Sequence, residues 1–223
     1  MTEHGENCHS MNSRKIMTEV RLGPFIVREK LILASGSPRR RAFLTGLGLT
    51  FEVRIPAVAE EAMPGETPLE FVRRLAREKA RVIAGQAPDA WVLAADTVVV
   101  LAGEILGKPR DAADARRMLL RLAGRSHEVW TGFCLRQESA GREICRAVST
   151  EVVFAEFSED VAAAYVATGE PLDKAGAYGI QDQGGFLVEE IKGSYSNVVG
   201  LPLAEVVEAF LEQQVIAPAS ASR

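Results

Sequence analysis

Apolar spacing divides residues 30–214 into strands and helices in mixed order. The run Leu31 to Leu33 stops at Ala34-Ser35-Gly36-Ser37, followed by Pro38 and three arginines. This pattern predicts a buried strand, a tight turn and a helix over 38–47, with Ser37 as N-cap and Pro38 at the first helical position. Residues 50–55 alternate as a strand, and 56–66 form an acidic loop between prolines. Thr67-Pro68-Leu69-Glu70 is a capping box, so a helix starts there and runs to about Ala84, before Gly85. At helical spacing Leu69, Val72, Leu75, Ala76, Ala80 and Ile83 share one arc. Lys79 falls near the middle of that arc.

Trp91–Leu101 is nearly all apolar, as a strand buried on both faces should be. A hairpin turn at 101–104 follows, then a helix over Ala112–Leu122. Asp111 caps that helix, and its core face is Ala115, Met118, Leu119 and Leu122. Two β-rich runs, 128–136 and 143–157, flank a turn at 138–142. Ser158 caps an alanine-rich helix to Thr168, and a last helix over 202–214 packs Leu203, Val206, Val207, Phe210 and Leu211. The glycine-rich stretch 169–203 has few good helix formers and reads as a long functional loop. The expectation is an α/β protein with one domain over 30–214, a flexible extension over 1–29 and a C-terminal tail over 215–223.

Composition changes this picture little. The 223 residues are 47% hydrophobic and 25% charged, an ordinary globular balance with ample material for a core. A net charge of -4 provides no basic field for nucleic acid. No apolar stretch approaches a membrane span, and the N-terminus lacks the apolar core of a signal peptide. Three cysteines, Cys8, Cys134 and Cys145, form no CxxC pair. They argue against a disulfide framework or a zinc site and for a reducing cytosol, with Cys134 and Cys145 as small core residues.

Candidate chemistry sits where the pattern breaks. The 35–41 turn combines hydroxyls, guanidinium groups and a helix N-terminus, which suits an anion or is simply a capped, solvated first turn. Lys79 either snorkels or is held inward. Asp96 interrupts the apolar strand, and its charge needs a partner, whether structural or functional. Gly107-Lys108-Pro109 is no P-loop, which leaves Lys108 as a cation on a stiff turn. Dinucleotide, HExxH, GxSxG and EF-hand signatures are absent. The remaining lysines, arginines and carboxylates suit phosphate chemistry with a divalent metal.

Five segments in order, SGSPRRRAFL, the acidic loop with PGE, REKA, LAADTVV followed by GKP, and DKAGAYGIQ with GSYSNVVGLPL, resemble the Maf family of nucleoside triphosphate pyrophosphatases. The resemblance implies a two-lobed α/β domain with a long twisted mixed sheet and a central cleft, similar to inosine triphosphate pyrophosphatases. It implies hydrolysis of a nucleoside triphosphate to the monophosphate and pyrophosphate with Mg2+ or Mn2+, in the cytoplasm. By this resemblance Asp96 is the general base or water-positioning group, and Glu60 helps Asp96 hold metal. Lys79 and Lys108 neutralise the triphosphate, and Ser35 and Arg40 bind phosphate. Arg39, Thr97 and Gln181 match the subfamily acting on dTTP and UTP. The alternatives are a 7-methyl-GTP or modified-nucleotide pyrophosphatase, or a non-catalytic nucleotide-sensing regulator of septation. The family also implies a homodimer. The chain departs from the family at Ala59, where a second acid is frequent, and at Asp182, where glycine usually follows the glutamine.

Overall fold

A computed structural model describes residues 23–219. Its strands are β1 (Phe25–Val27), β2 (Leu31–Leu33), β3 (Glu52–Val53), β4 (Trp91–Leu101), β5 (Glu104–Leu106), β6 (Ser126–Gln137), β7 (Arg142–Phe154), β8 (Val188–Lys192) and β9 (Ile216–Pro218). Seven of them form a central mixed sheet in the order β3-β2-β4-β6-β7-β8, with β5 added to β4. Strand β2 runs parallel to β3 and β4, and all other pairs are antiparallel.

The helices are α1 (Pro38–Gly46), α2 (Pro68–Ala84), α3 (Ala112–Leu122), α4 (Glu159–Ala167), α5 (Tyr195–Val199) and α6 (Leu203–Glu212). The expected caps are all made: Ser37, Thr67, Asp111 and Ser158 accept backbone N–H bonds, and the Thr67–Glu70 capping box is reciprocal.

The two faces of β4 explain the lobes. Even-numbered Val92, Ala94, Val98 and Val100 pack under α2. The odd-numbered face changes partner halfway: Trp91, Leu93 and Ala95 join a core with Leu44 and Phe210, whereas Val99 and Leu101 join one with Leu119 and Tyr165. Between them stand Thr97 and its cross-strand partner Thr131, a polar seam in an otherwise apolar surface. Gly132 faces Asp96 across the ladder. A Cβ there would strike the backbone of Val72 and Arg73, so this glycine allows α2 to lie close on the sheet.

Several expectations need correction. Only Glu52–Val53 of the 50–55 run forms a strand, because β2 ends at Leu33 and offers no longer edge. Leu69, placed on the apolar arc of α2, is 36% exposed, while Phe71 is buried in its stead. The 169–203 stretch is no single loop: it contains three short 3-10 turns, β8 and α5. Strand β8 escaped notice because Val188–Lys192 is mostly polar, as an edge strand with one wet side is.

The outer boundaries also move. Phe25–Val27 (β1) pairs antiparallel with Ile216–Pro218 (β9), and Ile216 is buried, so the ends of the supposed extension and tail form a small second sheet. The rest of the 1–29 extension, residues 1–22, and residues 220–223 of the tail lie outside the described residues. Finally, Cys134 and Cys145 are directly opposed across β6 and β7 and joined by a disulfide. Hairpin register brings their Cα atoms to 4.1 Å, which sequence spacing did not reveal. Cysteine usage therefore no longer argues for a reducing compartment. Among the described residues no helix is long and apolar enough to cross a membrane.

Candidate active site

The cleft is a gap in the sheet. On one edge of β4, β2 pairs as far as Leu93 and β5 begins at Val99. Among the described residues, 94–98 therefore have no strand neighbour on that side. The cavity there has a volume of about 680 Å3 and reaches residues from both faces of β4. Its size suits a small-molecule ligand. The cleft thus opens at the carboxyl end of β2, beside Asp96 in the middle of β4.

On the α2 face, the Lys79 Nζ donates to Asp96 Oδ1 and to Glu60 Oε1, both at 2.6 Å. Lys79 is held inward, 8% exposed, and Asp96 is 7% exposed. Glu60 comes from the acidic loop and is more open. Burial alone would raise the Glu60 carboxyl. The Lys79 hydrogen bond and the charges of Lys79, Lys108 and Arg40 outweigh it and hold Glu60 below the ordinary range. Glu61 does not line the cavity; its backbone carbonyl accepts from Arg74, which also grips Glu66 at 2.6 and 2.8 Å. Arg74 therefore anchors the loop that carries Glu60, a role the sequence pattern did not disclose.

On the opposite face, Arg40 is the centre. Its Nε donates to Gly200 O, Nη1 to Ser35 Oγ and Ala95 O, and Nη2 to Thr97 Oγ1, at 2.7 to 3.1 Å. The Ala95 carbonyl belongs to the unpaired edge, so Arg40 replaces the missing strand there. Four of the five N–H donors of a guanidinium are thus engaged within the protein. Burial lowers its pKa from the ordinary value, and it stays a cation. Ser35 Oγ also accepts from Ser37 N, which leaves its own proton for a ligand. Thr97 Oγ1 continues the chain to Thr131, whose hydroxyl donates to Asn197 O.

Arg39, Lys108 and Gln181 line the same cavity, and none of their side chains has a hydrogen-bond partner among the described residues. Arg39, more than Arg40, therefore offers an uncommitted guanidinium. All the residues singled out from the sequence converge on one cleft. Two more were missed. Asp173 and Lys174 line it, with the Lys174 Nζ, nearly buried, donating to Glu170 O at 2.7 Å and Asp173 Oδ1 at 2.9 Å. Burial would raise the Asp173 carboxyl, but Lys174 and the charge of Arg39 hold it below its usual range. The one available signal was an Asp-Lys pair inside a glycine- and alanine-rich turn.

The carboxylates of Asp96 and Glu60 meet at one cation, and each keeps a second oxygen with no hydrogen-bond partner among the described residues. Two hard oxygen donors facing a polar cleft fit a divalent ion that takes its other ligands from phosphate and water. Among the described residues the one grouping of three His, Cys or acidic side chains within ligand distance is Cys134, Glu143 and Cys145. Its cysteines form the disulfide and Glu143 is paired with Arg77 and Arg136, so it is not a competing site.

Comparison with known proteins agrees with this geometry. A family model described as "Maf-like protein" matches residues 30–213. A dTTP/UTP pyrophosphatase of Desulfotalea psychrophila is 57% identical over 186 residues, covering 83% of this chain and 95% of that protein. Those of Anaeromyxobacter dehalogenans and Geobacter sulfurreducens are 57% and 51% identical, covering 79% and 80% of this chain and 90% and 94% of those proteins. The Ham1 protein of Staphylococcus aureus shares the fold, with a TM-score of 0.51 at 15% identity, over 83% of this chain and 100% of that one. A cleft at a gap in a mixed sheet, a lysine-bridged carboxylate pair and these matches lead to one conclusion: the chain belongs to the Maf-like protein family.

Proposed function

We propose that the chain hydrolyses dTTP and UTP to the nucleoside monophosphate and pyrophosphate, cleansing the nucleotide pool of the cytoplasm. The observation that carries this reading is Lys79, which holds two carboxylates at one point beside a cleft lined with cations. The named activity of relatives at 51–57% identity supports the substrate.

Asp96 Oδ1 is tied to Lys79, so Oδ2 is the oxygen that orients a water and takes its proton. The water oxygen bonds to the α-phosphorus as the bridging oxygen to the β-phosphorus departs with its electron pair on pyrophosphate. Lys108 and Arg39 line the cleft with cationic groups that neutralise the leaving phosphates. Ser35 donates to a phosphate oxygen, and Arg40 fixes Ser35 and the open edge of β4. Glu60, with Asp96 beside it across Lys79, would hold Mg2+ or Mn2+ together with phosphate oxygens and water, and the ion would supply charge neutralisation at the phosphates and activation of water. The active chain is a homodimer in this reading; light scattering of the purified chain should give the dimer mass, and a monomer mass would overturn it.

The test is product analysis. The chain with Mg2+ or Mn2+ is incubated separately with dTTP, UTP, CTP and 7-methyl-GTP. Pyrophosphate release from dTTP and UTP is expected, and Asp96→Asn should reduce it by at least 100-fold, the scale of a lost general base. Release of orthophosphate alone would overturn the reading. Tight nucleotide binding without turnover would favour the regulator instead.

A further inference from the structure

Gln181 is exposed in the cleft and its side chain has no hydrogen-bond partner among the described residues, so its position follows the backbone of the segment that carries it. That segment is tied at both ends to one pair of side chains. The Tyr165 hydroxyl donates to Glu170 Oε1 at 2.7 Å and accepts from Gly179 N at 3.2 Å. Glu170 Oε1 also accepts from Gly184 N at 3.3 Å, and Oε2 accepts from Gln183 N at 3.0 Å. The loop 179–184 is therefore closed by two residues outside it, one on α4 and one in the 3-10 turn Glu170–Asp173. Closure is tight. A Cβ on Gly184 would meet the Tyr165 hydroxyl and, at 2.7 Å, Gly179 O. The backbone carbonyl of Glu170 accepts the ammonium of Lys174, which joins the same clamp to the cleft wall.

We propose that Tyr165 and Glu170 are positioning residues for base selection: they hold the 179–184 loop so that the Gln181 amide meets the pyrimidine edge. The role rests on the dTTP/UTP reading above. An amide can pair with the N3–H and O4 of uracil or thymine, whereas cytosine presents the reverse pattern at those atoms. Without the clamp the amide is still present, but no longer in one place. The effect then falls on discrimination and not on the hydrolytic step, because neither Tyr165 nor Glu170 lines the cavity.

The experiment compares Glu170→Gln, Tyr165→Phe, Gln181→Ala and the double variant Glu170→Gln/Gln181→Ala with the wild-type chain, measuring kcat and KM for UTP, dTTP and CTP. Glu170→Gln places an amide N–H against backbone donors and should raise KM for UTP and dTTP about tenfold, the effect of roughly one lost hydrogen bond. The kcat values should change less, and the preference for UTP over CTP should fall. Tyr165→Phe removes one hydroxyl and should act in the same direction. The double variant should be no less selective than Gln181→Ala. Variants that keep the wild-type UTP-to-CTP ratio, or a double variant that loses the product of both effects, would overturn the positioning role alone. An equal loss on all three nucleotides, with a lowered unfolding midpoint, would reduce the pair to structural support and also overturn it. A wild-type chain that releases no pyrophosphate from UTP, or prefers CTP, would remove the substrate reading and this role with it. Should Glu170→Gln fail to fold, Tyr165→Phe decides the matter.

Discussion

A lysine 8% exposed on an apolar helix face is stable here only because two carboxylates meet it. The converse holds for Asp96, whose charge would otherwise be stranded in the sheet. Lys79→Met should therefore destabilise the protein by roughly 3–5 kcal/mol, the cost of leaving a buried charge unpaired. Adding Asp96→Asn should return much of that loss. Urea unfolding of the two single variants and the double reads the coupling directly; strict additivity would contradict the pairing. A second buried group has a pH signature. Burial pushes the His127 imidazole down to about 4, and its Nε2 shares a hydrogen bond with the Tyr178 hydroxyl. The unfolded chain binds this proton near pH 6.5 and the folded one does not. Between those values the unfolded state holds more protons, so stability falls as pH drops from about 6.5 to about 4, by on the order of 3 kcal/mol. His127→Gln should flatten that part of a stability-against-pH curve, measured by thermal unfolding.

At the level of elements, helix α2 does two jobs. Its apolar face lies on β4 and β6, and its N-terminal half fixes the acidic loop through Arg74 and the capping box. Arg74 grips the nearly buried Glu66 carboxylate with two nitrogens and stands over the Phe71 ring at 5.5 Å. Arg74→Ala should free residues 60–66, so amide exchange there should quicken while that of β4 stays slow. Activity should drop several-fold as Glu60 loses its fixed approach to Lys79. Unchanged exchange across 60–66 would mean that the loop is held by other contacts. The capping box at Thr67 and the full extent of β4 were readable in advance, because each depends on neighbours in the chain. The partners of Arg74 were not, since Glu61 and Glu66 approach it through the path of an irregular loop.

For the molecule as a whole, chain ends and sheet edges matter most. Strands β1 and β9 close the protein over the core that includes Leu44 and Phe210. Ile216 is 2% exposed within that core. Ile216→Ala should cost about 2–5 kcal/mol, as large-to-small changes in cores do. Denaturant unfolding of the variant checks this, and a loss below half a kcal/mol would return 215–223 to the status of a tail. The two lobes arise from the change of partner along the odd-numbered face of β4, with the Thr97–Thr131 seam and the Arg40 bonds between them.

Local order along the chain was enough to mark five of the six helices, the caps of four of them, the buried β4 and the odd charges Lys79 and Asp96, because periodicity and capping act between residues a few positions apart; only the short α5 was read as loop. The residue types also restricted the chemistry to phosphate and carboxylates. Long-range packing supplied the rest. It paired Cys134 with Cys145, drew β1 onto β9, engaged Arg40 with the unpaired edge of β4 and brought Lys174 to the cleft wall. Each of those contacts joins groups whose meeting depends on strand register or on where a turn delivers a side chain. The gap that forms the cleft is of this kind: no residue encodes it, and it exists because β2 stops and β5 starts at different points along one edge.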